Sequence, residues 1–432
     1  MSLDALTDLA PARVAGQPSG ITSVCSAHPL VLRAALRLAA QHGHPVLIEA
    51  TCNQVNHLGG YTGMTPQDFA DLVFSLAKRE GCPRHLIILG GDHLGPNPWR
   101  DLSPDQAMAE AEMMVSAYVA AGFRKIHLDC SMGVAGEPAA LDDEKTAHRA
   151  ARLAQVAEIA ARDAGGEMPL YVIGTEVPPP GGADHLLDAI PPTAPAAAIQ
   201  TLQVHRRVFT EAGLEQALSR VIAMVVQPGV EFGNENVIRY QPDAARDLIA
   251  TLKEQPGLIF EAHSTDYQGG AALSQLVADG FAILKVGPEL TFLLREALYA
   301  LDLIASDLVP DYGARPLMQA METEMIAHPE SWQRHYPGDA ATQRWLRHYS
   351  LSDRIRYYWP TGQAKAAVSR LFDVLRGRKV PMPLLWQHLP GAASSADEPM
   401  EPEDLVIAHV RRGLETYQAA CRSGSAAGQG GA

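Results

Sequence analysis

The stretch Leu86-Ile87-Ile88-Leu89-Gly90-Gly91-Asp92-His93-Leu94-Gly95-Pro96-Asn97 decides the fold of this chain. Its short apolar run, which ends at two glycines, predicts a fully buried strand. The glycines allow the backbone to turn and to approach a ligand closely. An acid and an imidazole follow directly, and such a pair at a strand end can bind a metal ion or transfer a proton. A polar turn after a core strand would explain this stretch equally well on its own, but the same layout recurs along the chain.

Short apolar runs alternate with helical patterns from residue 21 to residue 308. Each run is nearly continuous, which is typical of parallel strands that are covered on both faces. Eight strands, each followed by a helix, predict an α/β fold of the (β/α)8 TIM barrel type. A doubly wound open sheet is the alternative, but no GxGxxG motif follows an early strand. The predicted strands are Ile21–Cys25, Val46–Ala50, Leu86–Leu89, Ile126–Asp129, Leu170–Ile173, Val221–Val226, Leu258–Ala262 and Ala282–Val286.

The alternation of strands and helices ends near Leu308. The remaining residues show helical patterns and no convincing strand, which favours a helical extension packed on the barrel. The last residues, from Ser423, are small and polar. We therefore expect a barrel domain over residues 1–308 and a C-terminal helical extension over residues 309–432 that ends in a mobile tail.

The composition disfavours several classes of protein. A net charge of −14 argues against a nucleic-acid partner, because phosphate backbones require basic surface, although a small phosphorylated substrate needs only a few local donors. No apolar run approaches the ~20 residues of a membrane helix. The N-terminus lacks the basic and apolar regions of a secretory signal, and five cysteines without CxxC spacing argue against a disulfide framework. We expect a cytoplasmic protein that does not bind membranes.

Acids and imidazoles follow at least five of the predicted strands. In a TIM barrel the chemistry is carried by residues at the carboxyl ends of the strands and in the loops just after them. A barrel with no function at that face could carry ordinary turn residues there. The residues in these positions are Ser26, His28, Glu49, Asp92, His93, Asp129, Glu176, Gln227, Glu231, His263, Ser264 and Lys285.

Two imidazoles and one or two carboxylates from separate strands can bind Zn²⁺ and leave a position open for substrate. We predict His93 and His263 as the imidazole ligands, with Glu231 and Glu176 as candidate carboxylate ligands. Zn²⁺ is the first choice for this divalent metal, and Mn²⁺, Co²⁺ or Ni²⁺ would also suit the ligand set. The prediction requires that His93 and His263 lie close enough to share one ion.

Asp92 and Asp129 are the main candidates for proton transfer, because a carboxylate beside a metal-activated hydroxyl can accept its proton. Capping of the following helix is the alternative role for both. Glu176 is a third catalytic candidate in addition to its candidacy as a ligand. His127 and Glu261 lie within predicted strands and are interpreted as structural.

Groups near the same strand ends are predicted to bind the substrate. Amides after strands seven and eight form a recurrent phosphate site in barrels. Two arginines of the extension are further candidates, although such a cluster is more typical of a packed surface with paired charges. The predicted substrate- and phosphate-binding residues are Ser26, Glu49, Gln227, Ser264, Thr265, Lys285, Gly287, Arg354 and Arg356.

Taken together, these motifs resemble the GatZ/KbaZ family, which is described as the accessory subunit of class II D-tagatose-1,6-bisphosphate aldolase. The resemblance covers nearly the whole chain. It implies a (β/α)8 barrel related to the class II aldolases and a phosphorylated ketohexose as substrate. The matching stretches include Cys25–Leu30, Ile48–Thr51, Gly59–Met64, Gly90–Asn97, His127–Ser131, Gly174–Pro178, Val225–Phe232, Glu261–Tyr267, Leu284–Pro288 and Arg354–Pro360.

The catalytic class II aldolases differ from this chain at two places that concern the metal. Their third strand ends in an Asp-His-His pattern, whereas Asp92-His93 is followed here by Leu94. Their third imidazole ligand follows a middle strand, where this chain carries Gln227 and Glu231. The resemblance therefore implies a departure from the three-histidine aldolase site.

Some members of the family are assigned as D-tagatose 6-phosphate 4-epimerases. The resemblance thus implies a metal-dependent 4-epimerase that interconverts D-tagatose 6-phosphate and D-fructose 6-phosphate by retro-aldol and aldol chemistry. The alternative is a non-catalytic subunit that stabilises a separate class II aldolase chain. A bisphosphate aldolase would need a second phosphate pocket, which we do not identify in the sequence. The expected partners are a phosphorylated ketohexose, further copies of this chain in a homo-oligomer and, under the alternative, an aldolase catalytic subunit.

Overall fold

Eight parallel strands close into a barrel, as the alternation of strands and helices predicts. The computed structural model describes residues 3–174 and 190–426. Its strands are β1 (Ile21–Cys25), β2 (Val46–Thr51), β3 (Ile87–Leu94), β4 (Lys125–Leu128), β5 (Leu170–Ile173), β6 (Val221–Val225), β7 (Glu231–Phe232), β8 (Val237–Ile238), β9 (Ile259–Ala262) and β10 (Phe281–Val286). Strands β1 to β6, β9 and β10 are neighbours in that order, and β10 pairs with β1. The (β/α)8 barrel is confirmed, whereas the antiparallel ribbon of β7 and β8 was not predicted.

Helices cover the outside of the barrel and begin at capping residues. They are α1 (Asp4–Thr7), α2 (Leu9–Val14), α3 (Pro29–His42), α4 (Pro66–Glu80), α5 (Pro104–Ala120), α6 (Asp143–Asp163), α7 (Pro195–Glu211), α8 (Glu215–Leu218), α9 (Pro242–Ala250), α10 (Gly270–Ala278), α11 (Pro288–Leu308), α12 (Pro316–Ala327), α13 (Ala340–Tyr349), α14 (Gly362–Leu375), α15 (Met382–His388) and α16 (Pro402–Ala426). Helix α4 illustrates how the local sequence determines where a helix begins and ends. Thr65 and Asp68 form a reciprocal capping box at its start, and Gly81 ends it in the left-handed conformation.

The lower part of the barrel interior is apolar. Side chains alternate between the two faces of a strand, and the first inward position of five strands carries Ile or Leu. These side chains belong to one buried cluster with Leu6 and Leu9 of α1 and α2, so the two short helices close the amino-terminal end of the barrel. The five strand residues are Ile21, Leu47, Ile88, Ile259 and Ile283.

Above this apolar floor the interior is charged, and we call Glu49, Asp92, Lys125, Glu261 and Lys285 the charged layer. Lys125 Nζ lies 2.6 Å from Glu49 Oε1 and 2.7 Å from Glu261 Oε2. Lys285 Nζ lies 2.9 Å from Glu49 Oε2 and also contacts the carboxylate of Asp92. Burial by itself would lower the pKa of both lysines, but these carboxylates raise it, so both ammonium groups stay charged.

The two glycines of β3 make room for neighbouring side chains. The strand continues through them to Leu94, which corrects the predicted end at Leu89. A Cβ atom on Gly90 would lie 2.5 Å from Glu49 Oε1, and one on Gly91 would lie 2.6 Å from Leu94 Cδ1. Both positions therefore require glycine because a neighbouring side chain already fills the space, and the glycines form no turn.

The described residues after Leu308 form helices α12 to α16 and return to the barrel. Helix α16 packs against α3, α10 and α11. The Tyr417 hydroxyl donates to Thr265 O at 2.7 Å, which ties the extension to the carboxyl end of β9. No helix in the described ranges has the length and apolar character needed to cross a bilayer. Helix α16 runs to Ala426, and the rest of the tail that we expected to be mobile lies outside the described residues.

We predict that Lys125→Met lowers the free energy of unfolding by about 3–5 kcal/mol, because it removes the cation nearest to the buried carboxylates of Glu49 and Glu261. Lys285, which lies 2.9 Å from Glu49 and 3.6 Å from Glu261, would then have to balance Glu49, Glu261 and Asp92 alone. Urea denaturation followed by circular dichroism measures the change. Lys253→Met, at an exposed position, is the control and should change stability by less than about 0.5 kcal/mol. Equal effects of the two substitutions would contradict the role given to the charged layer.

Candidate active site at the barrel mouth

A cavity of about 800 Å³ opens at the carboxyl end of the barrel strands. Barrel and extension both line it, so the helical extension forms part of its wall. From the barrel come Cys25, Ser26, Asp92, His93, Asp129, His263, Ser264, Lys285 and Gly287. From the extension come Arg354, Arg356, Tyr357, Trp359 and Lys365.

An irregularity at the end of β3 brings two consecutive residues to this cavity. Adjacent side chains on a regular strand face opposite sides. The pairing of β3 with β4 shifts register between Gly91 and Leu94, and His93 has a φ of 50°. This bulge lets the side chains of both Asp92 and His93 line the cavity.

Three imidazole rings meet at the mouth. The ring centroids of His93 and His263 are 4.8 Å apart, and that of His127 lies 5.0 Å from the first and 5.3 Å from the second. Together with Asp92, each of these histidines offers a ligand atom, and the four atoms lie within 4.8 Å of one another. The distance between His93 and His263 is therefore short enough for the two to share one ion.

Hydrogen bonds orient all three rings. His127 Nε2 lies 2.9 Å from Gly174 O, His93 Nδ1 lies 2.8 Å from Asp129 Oδ2, and His263 Nε2 lies 2.9 Å from Glu261 Oε1. Because carbonyl and carboxylate oxygens accept, these nitrogens donate, and the second nitrogen of each ring is the atom that could act as a ligand. Histidine ligands in metal sites are held in this way.

The contact between His127 and Asp92 also fits a cation. His127 Nδ1 accepts the backbone N–H of His93 at 3.2 Å and lies 3.1 Å from Asp92 Oδ1. Because the ring proton is on Nε2, His127 Nδ1 and Asp92 Oδ1 face each other as two atoms with lone pairs. A positive charge between them would stabilise this arrangement. Three imidazoles and one carboxylate are a ligand set that suits Zn²⁺ and the related divalent ions.

The two aspartates of the site are held in the ionised form. Burial by itself would raise the pKa of Asp92, but the charges of His93 and Lys285 hold it well below its usual range. The pKa of Asp129 is likewise lowered, against the effect of burial, by the hydrogen bond from His93. The same two carboxylates raise the pKa of His93 although burial opposes this. Both aspartates are therefore ionised at neutral pH and can bind a cation.

Several predicted site residues have other partners. Glu231 is buried, outside the histidine cluster, and its carboxylate accepts the Phe232 N–H and the Ser264 hydroxyl, while burial raises its pKa to about 7. The side-chain oxygen of Gln227 accepts two backbone N–H groups of its own loop. Glu49 belongs to the charged layer. Glu176, predicted both as a ligand and as a catalytic residue, lies outside the described residues.

The predicted phosphate groups after β9 and β10 are engaged within the protein. The Gly287 and Glu289 N–H groups donate to Asp266 Oδ1 at 3.0 and 2.8 Å, so this buried carboxylate caps the start of α11. The Thr265 hydroxyl donates to Lys285 O at 2.6 Å, and the Lys285 ammonium contacts the charged layer. No local sequence signal marks Asp266 as this cap, because the amides that it binds lie 21 and 23 residues further along the chain.

His127 is not among the ligands that the sequence predicts, but it lies in the histidine cluster. It was interpreted as structural because it lies within a strand, and a departure from a three-histidine site was expected. The structure brings the His127 ring beside those of His93 and His263, which makes His127 a candidate for a third imidazole ligand. The spacing offers a signal, because His127 follows Lys125 by two residues and the two side chains therefore share one face of β4.

The chain is similar over nearly its whole length to proteins described in terms of D-tagatose phosphates. The family model for D-tagatose-1,6-bisphosphate aldolase subunit GatZ/KbaZ-like proteins matches residues 6–422. A curated relative named D-tagatose 6-phosphate 4-epimerase, from Agrobacterium fabrum (strain C58 / ATCC 33970), is 60% identical over 419 residues, which are 97% of this chain and 99% of the relative. A crystal structure described as a probable tagatose 6 phosphate kinase from Sinorhizobium meliloti 1021 is 54% identical, with a TM-score of 0.85, and the match covers 93% of this chain and 100% of that one.

We predict that His127→Ala and His263→Ala each lower the affinity for a divalent ion by at least about tenfold, because each removes one imidazole from the cluster. Metal content after dialysis against a weak chelator, measured by mass spectrometry, checks this. His148→Ala is the control, because His148 is exposed and pairs with Glu144 on α6. Retention of the full metal content by His127→Ala would remove His127 from the proposed ligand set.

Proposed function

The chain belongs to the GatZ/KbaZ-like family, and on that premise we propose that it is a ketohexose-phosphate 4-epimerase. The reaction interconverts D-tagatose 6-phosphate and D-fructose 6-phosphate. The observation that carries the proposal is the 60% identity, over almost the full length of both chains, to the relative named D-tagatose 6-phosphate 4-epimerase. The cavity supports it, because ionised acids and oriented imidazoles line its wall.

The residues that would hold a divalent metal are Asp92, His93, His127 and His263. Zn²⁺ is the first choice, with Mn²⁺, Co²⁺ or Ni²⁺ as alternatives. Bound there, the ion would supply Lewis-acid stabilisation of negative charge on the C2 and C3 oxygens of the sugar. Glu231, a predicted ligand, is not in this set because it lies outside the histidine cluster. Glu176, the other predicted carboxylate ligand, lies outside the described residues.

Inversion at C4 requires cleavage and re-formation of the C3–C4 bond. The proton of the C4 hydroxyl leaves to a carboxylate, C4 becomes an aldehyde carbon, and the electron pair of the broken bond passes to C3 and the adjacent carbonyl. The aldehyde fragment rotates and presents its opposite face, and the same electron pair re-forms the bond. The proton then returns to the oxygen on C4, so atoms and electrons balance without a co-reactant.

Asp129 is the carboxylate that we assign to this proton when Asp92 ligates the metal. Its Oδ2 accepts from His93 Nδ1, and its Oδ1 accepts from the Ser131 hydroxyl at 3.0 Å. These bonds fix the plane of the carboxylate at the cavity wall. The lowered pKa keeps the carboxylate ionised at neutral pH, the form that can accept a proton, and also makes it a weak base, so its placement at the cavity wall carries the assignment.

A non-catalytic stabilising subunit is the second candidate, because the family description names an aldolase subunit. Against it stands the energetic cost of the site. Asp92 and His263 are almost fully buried, and desolvation of such groups is unfavourable unless they are paired or used. A protein that only stabilised another chain would gain nothing from bringing these groups to a cavity. Binding to an aldolase partner chain and assembly into a homo-oligomer remain predictions.

We predict that the purified, metal-loaded chain converts D-fructose 6-phosphate to D-tagatose 6-phosphate without a second protein. Asp129→Asn should lower kcat by about 10²–10⁴-fold at saturating metal, because an amide cannot accept the proton. Product analysis by chromatography or NMR measures both. Asp71→Asn, at an exposed position on α4, is the control and should keep the wild-type rate.

A different result would favour the second candidate. In that result the metal-loaded chain forms no epimer but raises the thermal stability or the activity of a separate class II aldolase.

A further inference from the structure

Two cations of the helical extension line the cavity and have no carboxylate partner among the described residues. Arg356 lies in the 3-10 turn before α14, and Lys365 lies on α14 itself. The two arginines of α3 and α4 that also line the cavity do have carboxylate partners. Arg33 pairs with Glu80 and Glu403, and Arg79 pairs with Glu403.

Neutral groups hold the Arg356 guanidinium in place. Its Nη1 donates to Ser352 O and to Asp353 O, and its Nη2 donates to Tyr357 Oη at 3.1 Å. Its Cζ lies 4.6 Å from the centroid of the Tyr357 ring. These bonds leave the Nε hydrogen and one Nη2 hydrogen without a partner in the described ranges. A fixed guanidinium that has two further N–H donors and no carboxylate partner among the residues described is suited to bind a phosphoryl group.

The region around Arg356 is electropositive, whereas the floor of the cavity carries the acids of the site. Arg356 and Arg354 lower the pKa of the Tyr357 phenol although burial opposes this. Tyr61, from the loop after β2, packs edge-on against Tyr357 with ring centroids 4.8 Å apart and joins the barrel to this region. A ligand that carries hydroxyl and carbonyl groups at one end and a dianion at the other matches this polarity.

The loops after β9 and β10 have fewer hydrogen-bond donors available for a phosphate. The Gly287 N–H binds the carboxylate of Asp266, and the Lys285 ammonium is neutralised by Glu49 and Asp92. An anion there would have to displace carboxylates that are already in contact with these donors, whereas no carboxylate of the described part of the chain contacts Arg356 or Lys365.

We propose that the phosphoryl group of the substrate binds between Arg356 and Lys365, so that the helical extension supplies the phosphate site of the barrel. This rests on the proposed 4-epimerase function. It gives the extension a further role, because cleavage of C3–C4 in D-fructose 6-phosphate leaves the phosphate on the aldehyde fragment. The two cations hold D-glyceraldehyde 3-phosphate in the cavity until the bond re-forms, and this retention favours epimerisation over net cleavage.

The first test is the Michaelis constant for D-fructose 6-phosphate. Arg356→Met and Lys365→Met should each raise it by about 10- to 100-fold, the range expected for loss of one charge-assisted hydrogen bond to an anion. Arg356→Lys should restore part of the affinity. Arg370→Met is a matched control, because Arg370 also donates to backbone carbonyls and lies over a tyrosine ring, that of Tyr312, but does not line the cavity. Lys253→Met is the control for Lys365.

The second test is the ratio of net cleavage to epimerisation, measured as triose formed per D-tagatose 6-phosphate formed. Arg356→Met should raise this ratio at least about tenfold, whereas the two control variants should keep the wild-type ratio. Thermal melting of every variant separates loss of binding from loss of folding, and Lys365→Met, at an exposed position, keeps the test decisive if Arg356→Met fails to fold.

The outcomes distinguish this proposal from the function on which it rests. If the wild-type chain forms no D-tagatose 6-phosphate, the 4-epimerase function fails and the phosphate site fails with it. If the wild type epimerises while folded Arg356→Met or Lys365→Met keeps the wild-type Michaelis constant, the phosphate site alone is overturned. An unchanged cleavage ratio in Arg356→Met would overturn the retention role of the extension.

Discussion

Opposite charges buried inside the barrel hold the functional groups of this protein in place. Glu49 and Glu261 share Lys125, and Lys285 contacts both Glu49 and Asp92. Desolvation of such charges costs several kcal/mol per ion, so the layer is stable only because every charge has an opposite neighbour. Its three carboxylates exceed its two ammonium groups, and the excess negative charge favours a cation at the mouth. Glu261 in turn orients His263.

Backbone strain is concentrated next to the same groups. His93 and Ser264 both have a positive φ, near 50°, in a region that residues other than glycine seldom adopt. Each such residue costs on the order of 1–3 kcal/mol and persists only where the surroundings determine its conformation. In His93 the strain accompanies the bulge that turns two consecutive side chains toward the cavity. The strained backbone and the buried charges therefore serve one purpose, which is the placement of acids and imidazoles at the barrel mouth.

The helical extension completes the cavity. Its last helix returns to the barrel, where Tyr417 donates to Thr265 O, and its 3-10 turn brings arginines to the mouth. The barrel contributes the acids and imidazoles, and the extension contributes Arg356 and Lys365, which have no carboxylate partner within residues 3–174 and 190–426. In a family described by its relation to aldolases, an extension that retains the phosphorylated fragment would explain how one barrel chemistry yields an epimer and releases no triose.

The hydrophobic pattern of the sequence was sufficient to predict the eight barrel strands, the helical nature of the extension and the strand ends at which acids and histidines gather, because burial on both faces and turn residues leave local signatures. It was also sufficient to place His93 and His263 at one rim. Only the tertiary structure determines the hydrogen-bond or ion-pair partner of each polar group. Asp266 takes the Gly287 amide, Lys285 joins the charged layer, and His127 faces Asp92 and not the apolar core. Such choices depend on distances between residues that lie far apart in the chain, and the energy of a buried charge or hydrogen bond depends on these distances and not on local sequence.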